Sequence, residues 1–290
     1  MASSSPAPPP RSESSRRSRL RLRQAGWYVL LVALALVVLF PIYVTVIRAV
    51  SSPVAYAEKG YPLYPVSPQW GAFRTAFNLG GFAHAMTVSL VMTLLITFGQ
   101  VATSIMAAYA FAFLRFPFRR LAFALFMATL MLPIEVTLIP NLQTVRDWGW
   151  FNSYPGLAAP FMAAALGTFL IRQGFMGVPS ELRDAARLDG FGHFRFLTRV
   201  AVPLARPVIA AFTVISFLAA WNQYLWPQSS TTQESWQTAQ IRLATFGSSN
   251  AQTLNLGVAA AVVVALPIFA LLLIFQRQIV RGLTAGAVKG

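Results

Sequence analysis

The chain has 290 residues, of which 56% are hydrophobic and only 11% charged, with no cysteine and a formal net charge of +15. This balance excludes an ordinary water-soluble domain, in which about a quarter of the residues are charged, and it indicates that lipid is the main solvent. The absence of cysteine excludes a disulfide framework, a cysteine-ligated metal site and a thiol nucleophile. The basic residues alternate with apolar runs instead of forming one solvated patch, so the excess charge does not predict nucleic-acid binding.

The N-terminal residues 1–26 are predicted to form a disordered basic tail. They consist mostly of Ser, Pro and Arg, and such a composition has little to bury and contacts anionic lipid at most. The apolar run that follows is longer than the about 7–15 residues of a signal-peptide core, so we read it as an uncleaved anchor. Residues 27–290 are then predicted to form one membrane domain.

Six stretches of the chain are long and apolar enough to cross a bilayer as helices. A helix needs about 20 residues to span the hydrocarbon layer. The prediction is therefore an all-α integral membrane protein with six transmembrane helices, near 27–50, 85–114, 121–142, 155–176, 207–227 and 256–276.

The basic residues between these spans are distributed unevenly. Eighteen Lys and Arg residues lie in the tail, the 115–120 turn, the 172–206 loop and the C-terminal end, whereas the other connections hold four. Because positive loops stay in the cytoplasm, both termini and the 172–206 loop are predicted to be cytoplasmic. The chain is accordingly expected to cross the membrane an even number of times.

Polar side chains inside the spans are candidates for a solute path, because they are costly in lipid. Glu135 is the one acidic residue within a predicted span, and Asn222, Gln223 and Tyr224 lie near the outer end of the fifth. A helix-to-helix hydrogen bond for Glu135 and an interfacial aromatic belt around Tyr224 remain alternative explanations. No metal site or catalytic residue is predicted, since the two histidines, His84 and His193, have no acidic or histidine partners at ligand spacing.

The loop of residues 178–207 is the longest basic connection, and its first part predicts a short helix from Glu181 to Asp189. Ser180 is a candidate cap, and Gly190 is suited to the left-handed residue that ends a helix. Such a short helix is unstable alone and needs a partner surface. One explanation is an amphipathic connector at the lipid headgroups; the other is docking to another protein through the face formed by Leu182, Ala185, Ala186 and Asp189.

A resemblance favours docking. The residues Asp184-Ala185-Ala186, Asp189-Gly190, Phe196, Val200 and Val202-Pro203 resemble the Glu-Ala-Ala ("EAA") signature of permease subunits in bacterial ABC importers. The chain differs in having Asp184 where the family usually has Glu and Val202 where it usually has Leu. Both changes preserve the carboxylate and the shape of the turn.

Further strings extend this resemblance over most of the chain after residue 27. They are AYAFA (108–112), MLPIEVTLIP (131–140), TFLIRQGFMGVPSEL (168–182), WNQYLWP (221–227) and FQRQIVRGLTAGAVKG (275–290). They are similar to the maltose-permease-like carbohydrate branch, and several look closest to permeases of glycerol-3-phosphate and glycerophosphodiester importers.

The resemblance implies a pore-forming, multi-pass subunit of a bacterial inner membrane and not an enzyme. It implies a second permease subunit, two ATPase subunits and an extracytoplasmic solute-binding protein as partners. It also implies that Asp184, Ala185, Ala186, Asp189, Gly190 and Pro203 form an ATPase-coupling helix and loop between spans four and five. ATP and magnesium would be held by the ATPase, because neither Lys59 nor Lys289 follows a phosphate-binding glycine. The alternative is a secondary transporter or channel, which the lack of an internal repeat disfavours.

Overall fold

A computed structural model describes residues 13–246 and 254–287. At 13–23, 134 and 278–287 it describes the backbone but not the side chains. Every regular element in the described residues is helical, which confirms the all-α prediction. The α-helices are, in chain order, α1 (Glu13–Val50), α2 (Pro53–Glu58), α3 (Ala72–Asn78), α4 (Phe82–Phe113), α5 (Arg119–Ala128), α6 (Ile134–Asp147), α7 (Tyr154–Ala158), α8 (Ala165–Met176), α9 (Ser180–Leu188), α10 (His193–Phe196), α11 (Val202–Leu204), α12 (Arg206–Trp221), α13 (Leu225–Ser230), α14 (Ala239–Phe246) and α15 (Leu254–Ala287).

Shorter helical turns connect several of these helices. Four are 3₁₀ turns, at Leu79–Gly81, Thr129–Met131, Ala159–Phe161 and Glu234–Trp236, and the segment Leu197–Ala201 is a π-helix.

Three helical stretches in the described residues are individually long and apolar enough to cross a membrane, namely Gln24–Val50, Ala72–Phe113 and Leu254–Arg277. Three further candidates are pairs of helices bent at a break. By length and composition, the described chain therefore offers three continuous candidate spans, or up to six if each bent pair crosses once.

The predicted third span, 121–142, is not one straight helix. It divides into two helices that meet at 100°. Leu132 is extended (φ −79°, ψ 119°) and Pro133 precedes the first residue of α6. The cause is local, because a residue before proline is driven out of the α region.

The predicted fourth and fifth spans also differ from the structure. The fourth, 155–176, bends by 51° between its two helices, where Ala164 is extended. In the fifth, 207–227, helix α12 already ends at Trp221, and its start follows an 80° bend after Leu204.

The predicted disordered tail lies partly outside the described residues. Residues 1–12 are outside them, and α1 begins at Glu13, so 13–26 are helical in the structure. Between Arg11 and Ala25 there is no proline or glycine to end a helix. Disorder of residues 1–12 stays a prediction.

Helix α4 lies at the centre of the packing. It packs most extensively on α8 and α12, while α15 packs on α12, α1 and α3. The indole N–H of the buried Trp221 donates to the carbonyl of Val264 at 3.1 Å, and its ring stacks on Phe217. Helices α4, α8 and α12 are thereby packed together. They adjoin the two candidate regions, which are the 178–207 loop and the breaks in the spans.

Candidate functional site: the 178–207 loop and the breaks in the spans

Helix α9 occupies the position predicted for the short helix, shifted by one residue. Ser180 is its first residue, and the cap position is Pro179 with no side-chain hydrogen bond. The expectation that Ser180 caps the helix is therefore wrong, because Pro179 already sets the extended entry into the first turn and Ser180 lies inside the helix.

The end of α9 is closed by backbone hydrogen bonds around Gly190. The N–H of Phe191 donates to the carbonyl of Ala186 at 2.8 Å, and that of Gly190 to Arg187 at 3.0 Å. Gly190 has φ +71°, which is the left-handed conformation predicted for it. This pattern satisfies the last carbonyls of the helix and fixes the direction in which the chain leaves it.

The side chains of α9 point in two directions. Ala186 is 6% exposed and packs in a buried cluster with Phe175 and Phe196. Leu182 and Leu188 are exposed. The predicted shared face is wrong in this respect, because Ala186 attaches α9 to the rest of the chain. Asp184, Ala185 and Asp189 are all exposed.

Asp184 lies beside two arginines of its own helix. Its carboxylate is 3.6 Å from the guanidinium of Arg187 and 3.9 Å from that of Arg183. The Asp184 side chain is 62% exposed, so these contacts contribute little stability. The carboxylate remains accessible to another molecule.

The second half of the loop returns the chain to the membrane domain. It contains α10, the π-helix Leu197–Ala201 and α11, which form one helical stretch from His193 to Leu204. The 80° bend into α12 follows directly. Pro203 lies near the end of this stretch, where its missing N–H removes one hydrogen bond to the preceding turn.

The loop is fastened to the end of α4 by Tyr109. Its hydroxyl is hydrogen bonded to Nδ1 of His193 at 2.9 Å, and the neighbouring Phe113 packs edge-on against Phe196. Sequence reasoning assigned His193 no specific contact. The two partners are 84 residues apart, so no local pattern could have paired them.

Three side chains of α4 satisfy backbone carbonyls at the break in the fourth span. Gln100 donates to the carbonyl of Phe161 (2.8 Å), Thr103 to Met162 (2.9 Å) and Ser104 to Ala164 (3.2 Å). Thr103 and Ser104 follow Gln100 by three and four residues, so the three donors lie on one helix face. A broken helix can exist at membrane depth only where its free backbone groups find partners, and α4 supplies them here.

Gln100 also joins α4 to α12. Its Oε1 accepts a hydrogen bond from Ser216 at 2.7 Å. One amide therefore connects α4, the break before α8 and α12. We call the group of Gln100, Thr103, Ser104 and Ser216 the polar bridge.

Glu135 lies in the first turn of α6, just after the 100° bend. Its side chain is exposed and makes no hydrogen bond or ion pair within the described residues. Glu135 therefore does not lie within one straight span, because the chain turns before it is reached.

Asn222, Gln223 and Tyr224 form the irregular link between α12 and α13. The amide of Asn222 donates to Leu218 of its own helix at 2.8 Å. The Oε1 of Gln223 is buried without a hydrogen-bond partner in the described structure, and Tyr224 is exposed. No hydrogen bond connects these residues to Glu135 within the described ranges, and their part in a common solute path stays a prediction. No group of three His, Asp or Glu side chains there is placed to hold a metal ion.

Comparison with known families identifies the relatives of this chain. Residues 100–285 match the family described as "Binding-protein-dependent transport system inner membrane component". The matched range includes α9, the polar bridge and all candidate path residues.

Individual relatives resemble nearly the whole chain. The sn-glycerol-3-phosphate transport system permease protein UgpE of Yersinia enterocolitica is 38% identical over 88% of this chain and 94% of the relative. The same-named protein of Rhizobium meliloti is 35% identical over 88% and 94%.

Among solved structures, a bacterial ABC transporter involved in the import of alginate has the same fold. It superposes with a TM-score of 0.77 at 22% identity, covering 93% of this chain and 99% of that one. A second structure, of a bacterial alginate ABC transporter in complex with an alginate-bound periplasmic protein, gives a TM-score of 0.60.

Proposed function

The chain belongs to the family of binding-protein-dependent transport system inner membrane components, and we propose that, as an ABC importer permease, it carries sn-glycerol-3-phosphate or a related glycerophosphodiester. The observation that carries this proposal is the 35–38% identity to permeases of sn-glycerol-3-phosphate transport systems over 85–88% of the chain. A fold match alone would not select a solute.

The solute is tested by uptake into a strain that lacks this gene. Labelled sn-glycerol-3-phosphate and glycerophosphocholine should enter less than in the parent strain, whereas maltose and trehalose uptake should be unchanged. A loss confined to the two sugars would replace the proposed solute by a carbohydrate, and unchanged uptake of all four would reject the solute class.

A cation for the phosphate group is proposed at Arg48. Two arginines on the predicted outer side are considered, Arg48 and Arg242. Arg242 donates to the carboxylate of Glu234 at 3.0 Å, so its charge is already balanced. Arg48 is exposed and has no ion pair within the described residues. Glu135, Asn222, Gln223 and Tyr224 remain proposals for other contacts along the solute path.

The assembly is proposed to contain a second permease subunit, two ATPase subunits that hold ATP and magnesium, and an extracytoplasmic solute-binding protein. The solved alginate transporter in complex with a periplasmic protein supports the last of these partners. Both termini and the 178–207 loop are proposed to face the cytoplasm, and the excess of basic residues in these segments supports this orientation.

This topology can be tested because the chain has no cysteine of its own. Single cysteines at positions 62 and 192 are treated in intact cells with an impermeant thiol reagent. Position 62 should react and position 192 should not; the reverse labelling would invert the topology.

Energy is proposed to enter through α9. This helix has nine residues, too few for stability in isolation, and its outer side presents Leu182, Ala185 and Leu188 to solvent. The chain bends at Pro179 and after Leu204 on either side of the loop. Movement of an ATPase bound to α9 would therefore reach both α8 and α12.

A further inference from the structure

A cavity of about 230 Å³ lies where the end of α4 meets α9 and α10. Arg183, Arg187 and His193 supply its polar lining, and Tyr109, Phe113 and Phe196 are among its aromatic walls. We call it the basic cavity. None of the proposed roles of α9 uses it, because those roles involve the opposite, exposed side of the helix.

The positive charge of the basic cavity is incompletely balanced by the chain itself. The buried Nε of Arg183 has no hydrogen-bond partner in the described structure. Asp184 is the carboxylate nearest to Arg183 and Arg187, but its contacts at 3.9 and 3.6 Å exceed hydrogen-bonding distance. Asp184 also does not line the cavity. Two guanidinium groups therefore share one exposed carboxylate outside the cavity. The remaining positive charge favours the binding of an anion in the cavity.

The position of the cavity favours an anion that belongs to a protein. Its lining residues Arg183, Ala186 and Arg187 belong to α9, the helix proposed above to bind the ATPase. The charge of the two arginines would be matched by an acidic side chain of a protein bound there.

We propose that a carboxylate side chain of the partner ATPase enters the basic cavity and pairs with Arg183 and Arg187. In this contact the permease would supply the pocket and the ATPase the inserted group. In the proposed docking of α9 the roles are reversed, because the permease supplies the inserted helix. It would attach the ATPase to α10 and, through the hydrogen bond between His193 and Tyr109, to the end of α4. The inference rests on the proposed function, since it requires an ATPase partner.

The test uses the whole transporter, expressed from its own genes and purified through a tag on this chain. The variants are Arg183→Gln, Arg187→Gln and the double substitution, and the control is Arg199→Gln, an exposed arginine of the same loop outside the cavity. The ATPase retained per permease and the rate of ATP hydrolysis are measured at low and high NaCl. We expect the double variant to bind the ATPase about tenfold more weakly than the wild type does. Its ATPase retention should also no longer depend on the NaCl concentration, whereas the control should behave as the wild type.

Folding failure is separated from loss of the contact by two features of the variants. The Arg187 side chain is 66% exposed, so Arg187→Gln leaves the packing intact, and Arg183→Lys should restore most of the binding by restoring the charge.

Three outcomes would count against the inference. Equal retention and equal salt dependence in the wild type and the double variant would overturn it while leaving the proposed function standing. Stabilisation of the purified wild type, but not of the double variant, by inorganic phosphate without any change in ATPase retention would assign the cavity to a free anion. A wild type that carries no ATPase at all would overturn the proposed function first.

Discussion

Replacing Gly190 by valine should uncouple transport without preventing insertion into the membrane. Gly190 has φ +71°, and a Cβ built on it would meet no atom within 4 Å. The cost of valine is therefore backbone strain and not a clash, about 1–2 kcal/mol for a side-chain-bearing residue in the left-handed region. The strain is relieved if the turn opens, which loses the hydrogen bonds from Phe191 to Ala186 and from Gly190 to Arg187. Opening becomes about 5–30-fold more favourable, and α9 then leaves its docked orientation.

The assay for this prediction compares Gly190→Val with Gly190→Asn. Asparagine tolerates the left-handed conformation and is the other common residue at this cap position, so Gly190→Asn should keep most of the uptake. In Gly190→Val we expect the chain to be inserted at normal levels, solute uptake to be lost, and ATP hydrolysis in the purified transporter to stop responding to solute. Equal uptake and equal solute-stimulated hydrolysis in the two variants would refute the role of the turn in coupling.

Three further changes test the membrane domain. Gln100→Met removes two hydrogen bonds of the polar bridge and should destabilise the protein in detergent by about 1–3 kcal/mol; Thr87→Val, which removes only a bond to its own helix, should have little effect, and equal melting temperatures would contradict the bridge. Gly99→Val should also destabilise, because a Cβ there would lie 2.7 Å from Cγ of Met162; a wild-type melting temperature would show that Met162 can move aside. Glu135→Gln should keep most of the uptake if Glu135 serves as a hydrogen-bonding group, and uptake reduced to background would instead indicate a required charge.

Much of the architecture follows from local sequence features. The composition predicts a membrane protein, and the apolar runs locate α4 and α15 within a few residues of their starts, at 82 instead of 85 and at 254 instead of 256. Helix α9 was predicted at Glu181–Asp189 and is observed at Ser180–Leu188. Glycine at position 190 was enough to predict its positive φ. These features are readable because hydrophobic length, helix-ending residues and backbone preference act over a few neighbouring residues.

The sequence also contains a local signal for one break, because Pro133 lies within the predicted third span. The 100° bend at this point is what the steric restriction on the residue before a proline produces. Hydrophobicity alone cannot reveal such a bend, because both helices of a bent pair are apolar.

The arrangement of the site was decided only by the tertiary structure. The periodicity of α9 groups Ala186 with Ala185, and only packing against Phe175 and Phe196 turns Ala186 inward. The polar bridge joins Gln100 to groups 61 and 116 residues away, and the basic cavity depends on the same kind of distant pairing between α4 and the loop. The amino-acid sequence determined which segments are helical and apolar because those properties are local, whereas the partners of each polar group depend on which helices the folded chain brings side by side.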